Sequence, residues 1–326
     1  MKEKVLAVLK SQNDYVSGQE LSEALGVSRT AVWKAVNALK DAGYEIESVR
    51  NRGYRLVSTP DVLLSEEIRS LLDTKWFGSS ILYFDTIDST NNEIKRQAEK
   101  GAAEGTLAIA EYQSAGRGRR GRNWESPAGS GIWMSFLIKP DISPDKASMV
   151  TLVAAMACAA AIREETGLNA MIKWPNDIVL DGRKATGILT EMSTEMESIS
   201  YVVIGIGINA NMTDFPEDIA STATSLAIQC GHMVVRSRIV ALFGRYFEKY
   251  YETFIRDKSF AGLREEYESM LVNKGAQVAV IMGDVTVRRK ALGINDSGEL
   301  VVEDESHNIE TVRAGEVSVR GIYGYV

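Results

Sequence analysis

The sequence predicts an α+β protein with several domains: a small helical head, a central mixed sheet with helices packed on it, and a small C-terminal β module. Three patterns predict this class. Near the N-terminus, two short capped helices precede a hairpin. In the middle of the chain, a hairpin turn interrupts the alternation of strands and helices. From about residue 277, apolar and polar residues alternate with a period of two. The 326 residues suffice for two or three domains. We expect them at residues 1–60, 61–274 and 275–326.

Composition excludes several classes of protein. Hydrophobic residues make up 45% and charged residues 25%, which is ordinary for a folded globular chain and unlike a disordered or collagen-like one. Two cysteines cannot build a disulfide framework, which favours the cytoplasm. His232 and His307 share no metal-ligand spacing, so we expect no metal site built from protein side chains. The longest apolar run, at 149–162, is shorter than the roughly 20 residues that span a bilayer, so it predicts a buried helix and no membrane partner.

The charge is distributed unevenly along the chain. The whole protein carries −7, whereas residues 1–58 carry nine Lys and Arg against seven Asp and Glu, a net of +2. The remainder therefore carries −9. A mildly basic head on an acidic body suggests two separate functions.

The head is predicted to form a helix-turn-helix followed by a hairpin. Ser17 and Glu20 have capping-box spacing, Gly26 ends that helix, and Ser28 caps the next one. The second helix has an apolar stripe opposite a polar face, and the hairpin carries Arg55 with two further arginines. This combination favours DNA binding over plain helix packing. The candidate DNA-contacting residues are Ser28, Arg29, Thr30, Trp33, Lys34, Asn37, Arg50 and Arg52.

The middle of the chain alternates between strands and helices. Strands are expected at 81–84, 106–112, 132–138, 171–174, 178–180, 185–190 and 201–208, and long helices at 92–100, 145–166 and 235–256. Asp181-Gly182 is a hairpin-turn signal between two of these strands, which favours an antiparallel or mixed sheet over a doubly wound one.

The C-terminal part is predicted to be a small β-barrel of about 50 residues. Apolar residues alternate with polar ones at the pairs 278/280, 285/287, 300/302 and 317/319. Turn signals stand at Gly283-Asp284 and at 296–298.

Two glycine patterns resemble nucleotide-binding fingerprints but lack the helix that normally follows such a fingerprint. Residues 116–121 match G-x-G-x-x-G and residues 205–210 match G-x-G-x-x-A, each after a predicted strand. A dinucleotide site needs a helix to begin directly afterwards, so that its N-terminus holds the pyrophosphate. Pro127 and Pro216 interrupt the two following segments, so we do not expect a Rossmann dehydrogenase.

The first of these patterns, with the residue that follows it, contains four arginines within the six residues 117–122, separated by glycines. Like charges at that density repel one another, and glycine adds conformational entropy that ordering must remove. We therefore expect the loop 116–122 to be mobile when empty and to become ordered around an anion. Because guanidinium groups bind phosphates and carboxylates with two parallel hydrogen bonds, an anion site is favoured over a solvated basic loop.

Other candidate ligand contacts lie at three further positions. Pro175 fixes a turn after a strand, so that Lys173 and Asn176 could face one ligand. Lys184 follows a hairpin turn and alternates toward the same face as Thr186. The segment 88–91 precedes a helix, and Thr90 with Glu93 has capping-box spacing; a simple cap and contact with a ligand's polar head group are both open interpretations.

Taken together, these motifs resemble the biotin–protein ligases. The matching segments, in order, are Asp-Ser-Thr-Asn at 88–91, Gln113 with Gly-Arg-Gly-Arg-Arg-Gly-Arg at 116–122, Lys-Trp-Pro-Asn-Asp at 173–177, Arg-Lys at 183–184, Gly-Ile-Leu at 187–189 and Gly-Ile-Asn at 207–209. With the helix-turn-helix head, the chain is similar to the bifunctional form, which is both a biotin–[acetyl-CoA-carboxylase] ligase and a biotin-operon repressor. The resemblance covers nearly the whole chain.

The resemblance implies a fold and two half-reactions. The fold is a winged helix, a catalytic domain related to class II aminoacyl-tRNA synthetases, and an SH3-like barrel. Biotin and ATP, with Mg²⁺, would give biotinyl-5′-AMP and pyrophosphate, and a lysine of a biotin carboxyl carrier domain would then displace AMP. Implied partners are the carrier domain of acetyl-CoA carboxylase or another biotin-dependent carboxylase, operator DNA, and a second copy in a homodimer. The implied location is the cytoplasm.

The resemblance also implies roles for individual residues, without a covalent enzyme nucleophile. The implied catalytic residues are Arg119, Lys173 and Lys184. Those implied for biotin are Ser89, Thr90, Asn91, Gln113, Arg117, Gly118, Arg119, Lys184 and Gly187. Those implied for ATP are Arg119, Arg120, Trp124, Lys173, Asn176 and Asn209. Asp177 is a hypothetical partner for the attacking lysine or for Lys173, and Thr186 stands where Ala or Cys is expected.

Two alternative functions compete with this interpretation. A regulatory sensor that binds a small acid without catalysis would not need the arginine loop, Lys173 and Lys184 to neutralise phosphates. A lipoate–protein ligase has a related catalytic domain, but we would not expect it to have this head or this arginine-glycine loop.

Overall fold

The protein is described here by a computed structural model that covers residues 1–195, 198–282, 284–314, 318–321 and 325–326. These residues form two compact units, Met1–Leu72 and Asp73–Val326. The first unit thus includes residues 61–72, beyond the boundary expected after residue 60. The expected domain boundaries remain predictions.

The first unit contains the predicted helix-turn-helix and hairpin. Its elements are α1 (Lys2–Ser11), α2 (Gly18–Leu25), α3 (Arg29–Asp41), β1 (Glu45–Val49), β2 (Gly53–Ser58) and α4 (Ser65–Leu71). The amide of Glu20 donates to Ser17 Oγ over 3.1 Å, and the amide of Ser17 donates back to Glu20 Oε2 over 2.7 Å, so the capping box is confirmed. Gly26 ends α2 at a φ of 64°, and Ser28 Oγ accepts from the amide of Ala31.

The second unit is built on a mixed sheet. Its first helices and strands are β3 (Ile81–Ile87), α5 (Thr90–Glu99), β4 (Leu107–Gln113), β5 (Ile132–Ile138), α6 (Ala147–Thr166), β6 (Met171–Lys173), β7 (Asp177–Leu180), β8 (Arg183–Glu195), β9 (Ser198–Ile208), α7 (Leu226–Cys230), α8 (Arg236–Asp257) and α9 (Arg264–Ser269). The described strands lie in the order β3-β4-β5-β9-β8-β7-β6. Only the β3–β4 pairing is parallel among them, which confirms the mixed sheet. β8 is longer than predicted because its hairpin partner β9 pairs with it as far as Glu195 and Ser198.

Helices cover both faces of this sheet. Leu137 and Phe136 are neighbours on β5, so their side chains point to opposite faces. Leu137 belongs to a core cluster with Ile94 of α5. The ring centroid of Phe136, in contrast, lies 4.7 Å from the ring centroid of Phe247 on α8. The segment Pro144–Thr166, which contains α6, is long and apolar enough to cross a membrane, but 72% of its apolar window is buried, as in the core helix of a folded domain. The predicted buried helix is therefore present.

The chain continues into an antiparallel sheet. Its strands are β10 (Gln277–Met282), β11 (Val285–Ile294), β12 (Leu300–Glu303), β13 (Ile309–Val312) and β14 (Ser318–Gly321), in the order β13-β12-β11-β10-β14 among the described residues. The 278/280 and 300/302 pairs are buried as predicted. Val285, in contrast, is 56% exposed, because it lies at the hairpin end of β11, where it pairs with Met282 of β10. Gly283 and Val317 lie outside the described residues.

Candidate active site and nucleic-acid interface

A cavity of about 1040 Å³ lies in the second unit, at the ends of several strands of the mixed sheet. It collects every residue that the sequence nominated for a small ligand or for catalysis, from segments that are far apart in the chain. These are Ser89, Thr90, Asn91, Gln113, Arg117, Gly118, Arg119, Arg120, Trp124, Lys173, Asn176, Lys184, Gly187 and Asn209. Their common location is an observation of the structure, while the roles assigned to each remain predictions.

One end of the cavity is a buried network of uncharged polar side chains. Gln113 Oε1 accepts from the amide of Thr90 over 2.9 Å and from its hydroxyl, Oγ1, over 3.0 Å. The same hydroxyl lies 2.7 Å from Ser135 Oγ, which in turn donates to Asn91 Oδ1. Because each group is held by a neighbour, this network is preorganised to bind a polar ligand head group.

The capping box predicted for Thr90 and Glu93 is wrong. α5 begins at Thr90 with Ser89 as its cap residue, and no side-chain cap bond forms there. The Thr90 hydroxyl faces the polar network instead, while Glu93 forms an ion pair with Arg96 at 2.8 Å. The interpretation in which these side chains face a ligand cavity is the one that the structure supports.

Asn91 is anchored by an acid that the sequence did not indicate. Its Nδ2 donates to Glu191 Oε2 over 2.7 Å, and Lys95 Nζ lies 2.6 Å from Glu191 Oε1. A Cβ on Gly205 would approach Asn91 Oδ1 to 2.0 Å, so only glycine leaves room for the amide. Glu191 is half-buried in a long strand, and its spacing from the other motifs gave no signal of this contact.

Two glycines of adjacent strands form the floor of the cavity. Gly187 on β8 pairs with Gly207 on β9, and the Trp124 ring lies on both. A Cβ on Gly187 would come within 2.7 Å of that ring, and a Cβ on Gly207 within 2.5 Å. Among the described residues, the buried Nε1 of Trp124 has no hydrogen-bond partner. The second glycine pattern therefore begins inside β9 and does not follow a strand as predicted. The missing side chains of Gly187 and Gly207 leave room for the flat ring of Trp124.

The arginine-rich segment is a short loop beside this floor. Its ends are joined by hydrogen bonds from the amide of Trp124 to Gly116 O and from the amide of Gly118 to Arg122 O. Arg119 Nη1 donates to Asn176 Oδ1 over 2.7 Å. Burial lowers the pKa of Arg119, yet a guanidinium stays charged in proteins, so a partly desolvated cation faces the cavity.

Two lysines and a carboxylate form the charged end of the cavity. Lys173 is only 4% exposed, and its Nζ lies 3.3 Å from the centroid of the Tyr325 ring. Lys184 Nζ forms an ion pair with Asp177 Oδ1 at 2.6 Å. The hydroxyl of Tyr325 donates to the other carboxylate oxygen of Asp177. Asp177 thus pairs with Lys184. The hypothesis drawn from the sequence gave it a different partner, either the attacking lysine or Lys173.

The asparagines predicted to bind ATP also hold the walls of the cavity. Asn176 Nδ2 donates to Ile188 O, and Asn209 Nδ2 donates to Thr224 O over 3.1 Å. Thr186, in contrast, is fully buried in β8 and does not line the cavity, whereas Lys184 does. The common face predicted for the two is therefore wrong, because the β7–β8 pairing shifts register between Val179 and Ile178.

Sequence reasoning missed one whole wall, the segment 212–223. It crosses the edge of the cavity, where the amide of Lys184 donates to Thr222 O over 2.7 Å. The side chains that it contributes include Met212, Phe215 and Ile219. Because this segment has neither helical nor strand periodicity, the available signal was Phe215 beside Pro216.

The charge of the cavity favours an anion. Six basic residues line it, against three acidic ones. The basic residues are Arg117, Arg119, Arg120, Arg122, Lys173 and Lys184, and the acidic ones are Glu125, Asp177 and Asp218. Cations held in a partly dry cavity stabilise negative charge that builds up during a reaction. The polar network and the cations therefore suit a ligand with a polar head group and a phosphate or carboxylate end.

The head unit presents a separate surface. On α3 the predicted contacts lie opposite the buried stripe, and Trp33 is 55% exposed. On the hairpin, the guanidinium of Arg52 lies 4.3 Å and that of Arg55 5.0 Å from the ring centroid of Tyr15. Arg55 also donates to Glu47 over 2.8 Å. Sequence reasoning missed Tyr15, which gives the hairpin arginines a rigid support.

Comparison with known proteins decides between the alternatives. A model described as Biotin/lipoate A/B protein ligase family matches residues 83–209, an HTH domain model matches 2–55, and a Biotin protein ligase C terminal domain model matches 275–320. The Bifunctional ligase/repressor BirA of Bacillus subtilis is 42% identical over 293 residues, which cover 89% of this chain and 90% of that protein. The chain belongs to the family of bifunctional biotin–protein ligases and repressors. The protein of the same name from Escherichia coli is 31% identical over 97% of this chain and 96% of its own length.

A solved structure of another biotin–protein ligase supports the fold. The Biotin protein ligase from Aquifex aeolicus in complex with biotin and ATP has a TM-score of 0.65 and 28% identity, and the match covers 74% of this chain and 99% of that one. The predicted fold class is confirmed. This member of the ligase family is an enzyme with an additional helix-turn-helix head.

Proposed function

We propose that this biotin–protein ligase activates biotin with ATP to biotinyl-5′-AMP and transfers biotin to a lysine of a biotin carboxyl carrier domain. With biotinyl-AMP bound, it represses biotin biosynthesis and transport genes as a DNA-binding dimer. The observation that carries the ligase function is that the polar network, the glycine floor and six basic side chains meet in one cavity.

Activation places developing charge next to the cations. A carboxylate oxygen of biotin attacks the α-phosphorus of ATP, and pyrophosphate leaves with the electron pair of the broken P–O bond. Arg119, Lys173 and Lys184 line the cavity where that charge builds up, and preorganised cations lower such a barrier. The reaction then needs no nucleophile from the enzyme.

The two ends of the cavity suit the two substrates. The residues proposed for biotin are Ser89, Thr90, Asn91, Gln113, Arg117, Gly118, Arg119, Lys184 and Gly187. The residues proposed for ATP are Arg119, Arg120, Trp124, Lys173, Asn176 and Asn209. Mg²⁺ in nucleotide sites is usually held by one or two carboxylates together with phosphate oxygens. Both carboxylate oxygens of Asp177 are engaged, by Lys184 and by Tyr325, so we expect Mg²⁺ to enter with ATP and to be held chiefly by phosphate oxygens and water.

Transfer uses the product of the first step. The neutral amine of the carrier lysine attacks the acyl carbon of biotinyl-AMP, and the bond from that carbon to the phosphate oxygen breaks. AMP leaves with the electron pair, and the nitrogen of the new amide loses a proton to solvent. We propose Asp177, which lines the cavity, as the carboxylate that attracts the incoming lysine. We place this reaction in the cytoplasm, with the carrier domain as protein partner and without a membrane.

Pyrophosphate release tests the ligase function. The full chain is incubated with radiolabelled ATP and either biotin or lipoate, with each acid omitted as a control. We expect release with biotin only. Release with lipoate alone would make the protein a lipoate ligase, and binding of biotin without release would make it a sensor.

Repression requires two heads on one operator. A single head with a net charge of +2 supports only weak, salt-sensitive binding, about 10⁻⁴–10⁻⁶ M, as is typical of non-specific contacts. A two-fold dimer places two heads on two half-sites and sets their spacing. Biotinyl-AMP is a suitable signal because it persists only when no acceptor lysine consumes it. Ordering of the loop 116–122 on this ligand could build the dimer surface.

Sedimentation and operator titration test the regulation. We expect biotinyl-AMP to promote the dimer and to tighten operator binding at constant salt, and operator DNA to tighten the dimer in return. Operator affinity that does not respond to biotinyl-AMP would refute this mechanism without affecting the ligase.

A further inference from the structure

The C-terminal end of the chain contributes a side chain to the charged end of the cavity. Tyr325 lies against the turn between β6 and β7, where Lys173 and Asp177 face each other as a cross-strand pair. Its ring covers the Lys173 ammonium at 3.3 Å from Nζ to the ring centroid. Its hydroxyl donates to Asp177. One tyrosine thus contacts both sides of the turn.

Through these two contacts Tyr325 influences both lysines of the site. Lys173 is almost fully buried, and a buried ammonium needs compensation for lost water, which the negative face of an aromatic ring supplies. Asp177 holds Lys184 through one carboxylate oxygen and receives the Tyr325 hydroxyl at the other. The hydroxyl therefore fixes the carboxylate that orients Lys184.

We propose that Tyr325 is a positioning residue for adenylate formation: its ring holds Lys173, and its hydroxyl holds Lys184 through Asp177. This inference rests on the proposed ligase function. The two contacts are chemically separable, because phenylalanine keeps the ring and loses the hydroxyl, while leucine loses both.

The kinetic experiment compares Tyr325→Phe and Tyr325→Leu in the full-length chain. Biotinyl-AMP formation is followed under single-turnover conditions at varied ATP, so that kcat denotes the rate constant at saturating ATP and KM the half-saturating ATP concentration. We expect Tyr325→Phe to slow formation about tenfold with an unchanged KM for ATP, because only a hydrogen bond to a charged group is lost. We expect Tyr325→Leu to lower kcat/KM about a hundredfold and to raise the KM for ATP several-fold, because the ring over Lys173 is lost as well.

Tyr246 provides matched control variants. Its hydroxyl donates to Glu164 over 2.6 Å, and the Arg245 guanidinium lies 5.1 Å from its ring centroid, so its surroundings are chemically similar. It lies on α8 and does not line the cavity. We expect Tyr246→Phe and Tyr246→Leu to leave both kinetic constants unchanged.

Trace acetylation of lysines, read by mass spectrometry, tests the contact without the reaction. We expect Lys173 to be labelled faster in Tyr325→Leu than in the wild-type chain, with Tyr325→Phe restoring protection. Equal labelling in all three proteins, or equal kinetic constants in wild type and Tyr325→Leu, would overturn the inference. A wild-type chain that releases no pyrophosphate would instead refute the proposed ligase, and the labelling would still decide where Tyr325 lies.

Discussion

Two helices of this protein begin at the same sequence pattern, and only one of them forms the cap that the pattern predicts. At the start of α2, Ser17 and Glu20 exchange both bonds of a capping box. At the start of α5, Thr90 and Glu93 have the same spacing and form neither bond. The Thr90 hydroxyl donates to Gln113 instead.

The two helix starts differ in the hydrogen-bonding side chains that surround them. At the α2 start, the Ser17 hydroxyl accepts from the Glu20 amide of its own helix and, in the part of the chain that the structure describes, has no competing side-chain partner. The α5 start is buried at the edge of the cavity, where β4 and β5 bring Gln113 and Ser135 within hydrogen-bond distance of Thr90. A local motif therefore determines structure where no tertiary partner competes, and a ligand site is where such partners gather.

The largest expected effect concerns the residues that only the cavity brings together. We expect Lys184→Ala and Arg119→Ala each to slow biotinyl-AMP formation by two to three decades, because each removes one preorganised charge, worth about 3–4 kcal/mol. Lys34→Ala, on the head, should leave this rate unchanged and weaken operator binding. A Lys34→Ala protein with normal DNA binding and poor ligation would contradict the separation of functions.

A smaller effect is expected at the uncapped helix start. Thr90→Val keeps the shape of the side chain but leaves the oxygens of Gln113 and Ser135 with one partner fewer, so we expect biotin affinity to fall about tenfold. Thr90→Ser should restore it. Calorimetry measures the affinity, and amide exchange of α5 reports on the helix. Unchanged biotin binding together with fraying of α5 would show that Thr90 is a cap after all.

The capped helix start should show the opposite behaviour. We expect Ser17→Ala to destabilise α2 by about 1 kcal/mol, which corresponds to roughly fivefold faster amide exchange in that helix. Biotinyl-AMP formation should not change. If exchange in α2 stays at the wild-type rate, the capping box contributes nothing in the folded head.

The smallest effect is a pH dependence of the same cap. The hydrogen bond from the Ser17 amide lowers the pKa of Glu20 below its ordinary value of 4.5. Because the folded pKa is the lower one, the stabilisation is complete above pH 4.5 and is lost as the pH falls through the folded pKa. We expect the protection of α2 to decrease over that acidic range and Glu20→Gln to remove the pH dependence. An identical pH profile in the variant would argue against the Glu20 bond.

The two glycine patterns show how far sequence reasoning reached. Their mismatch with a dinucleotide fingerprint was recognised correctly, because the missing helix is a local property. That residues 116–121 form a charged loop also followed from composition. Composition did not predict that Gly207 pairs with Gly187 under the Trp124 ring. These two glycines meet because β8 pairs with β9.

The sequence by itself determined the features that depend on near neighbours: the helix-turn-helix with its first cap, the order of strands and long helices, the turns, and the clustering of cations. Tertiary structure decided which of these features meet. Thr90 and Ser135 are 45 positions apart in the chain, and Tyr325 and Asp177 are 148 apart. No periodicity of 2 or 3.6 residues encodes such contacts. They exist because the mixed sheet and the C-terminal strands bring distant segments to one cavity, where hydrogen bonds and charge then select among the locally allowed arrangements.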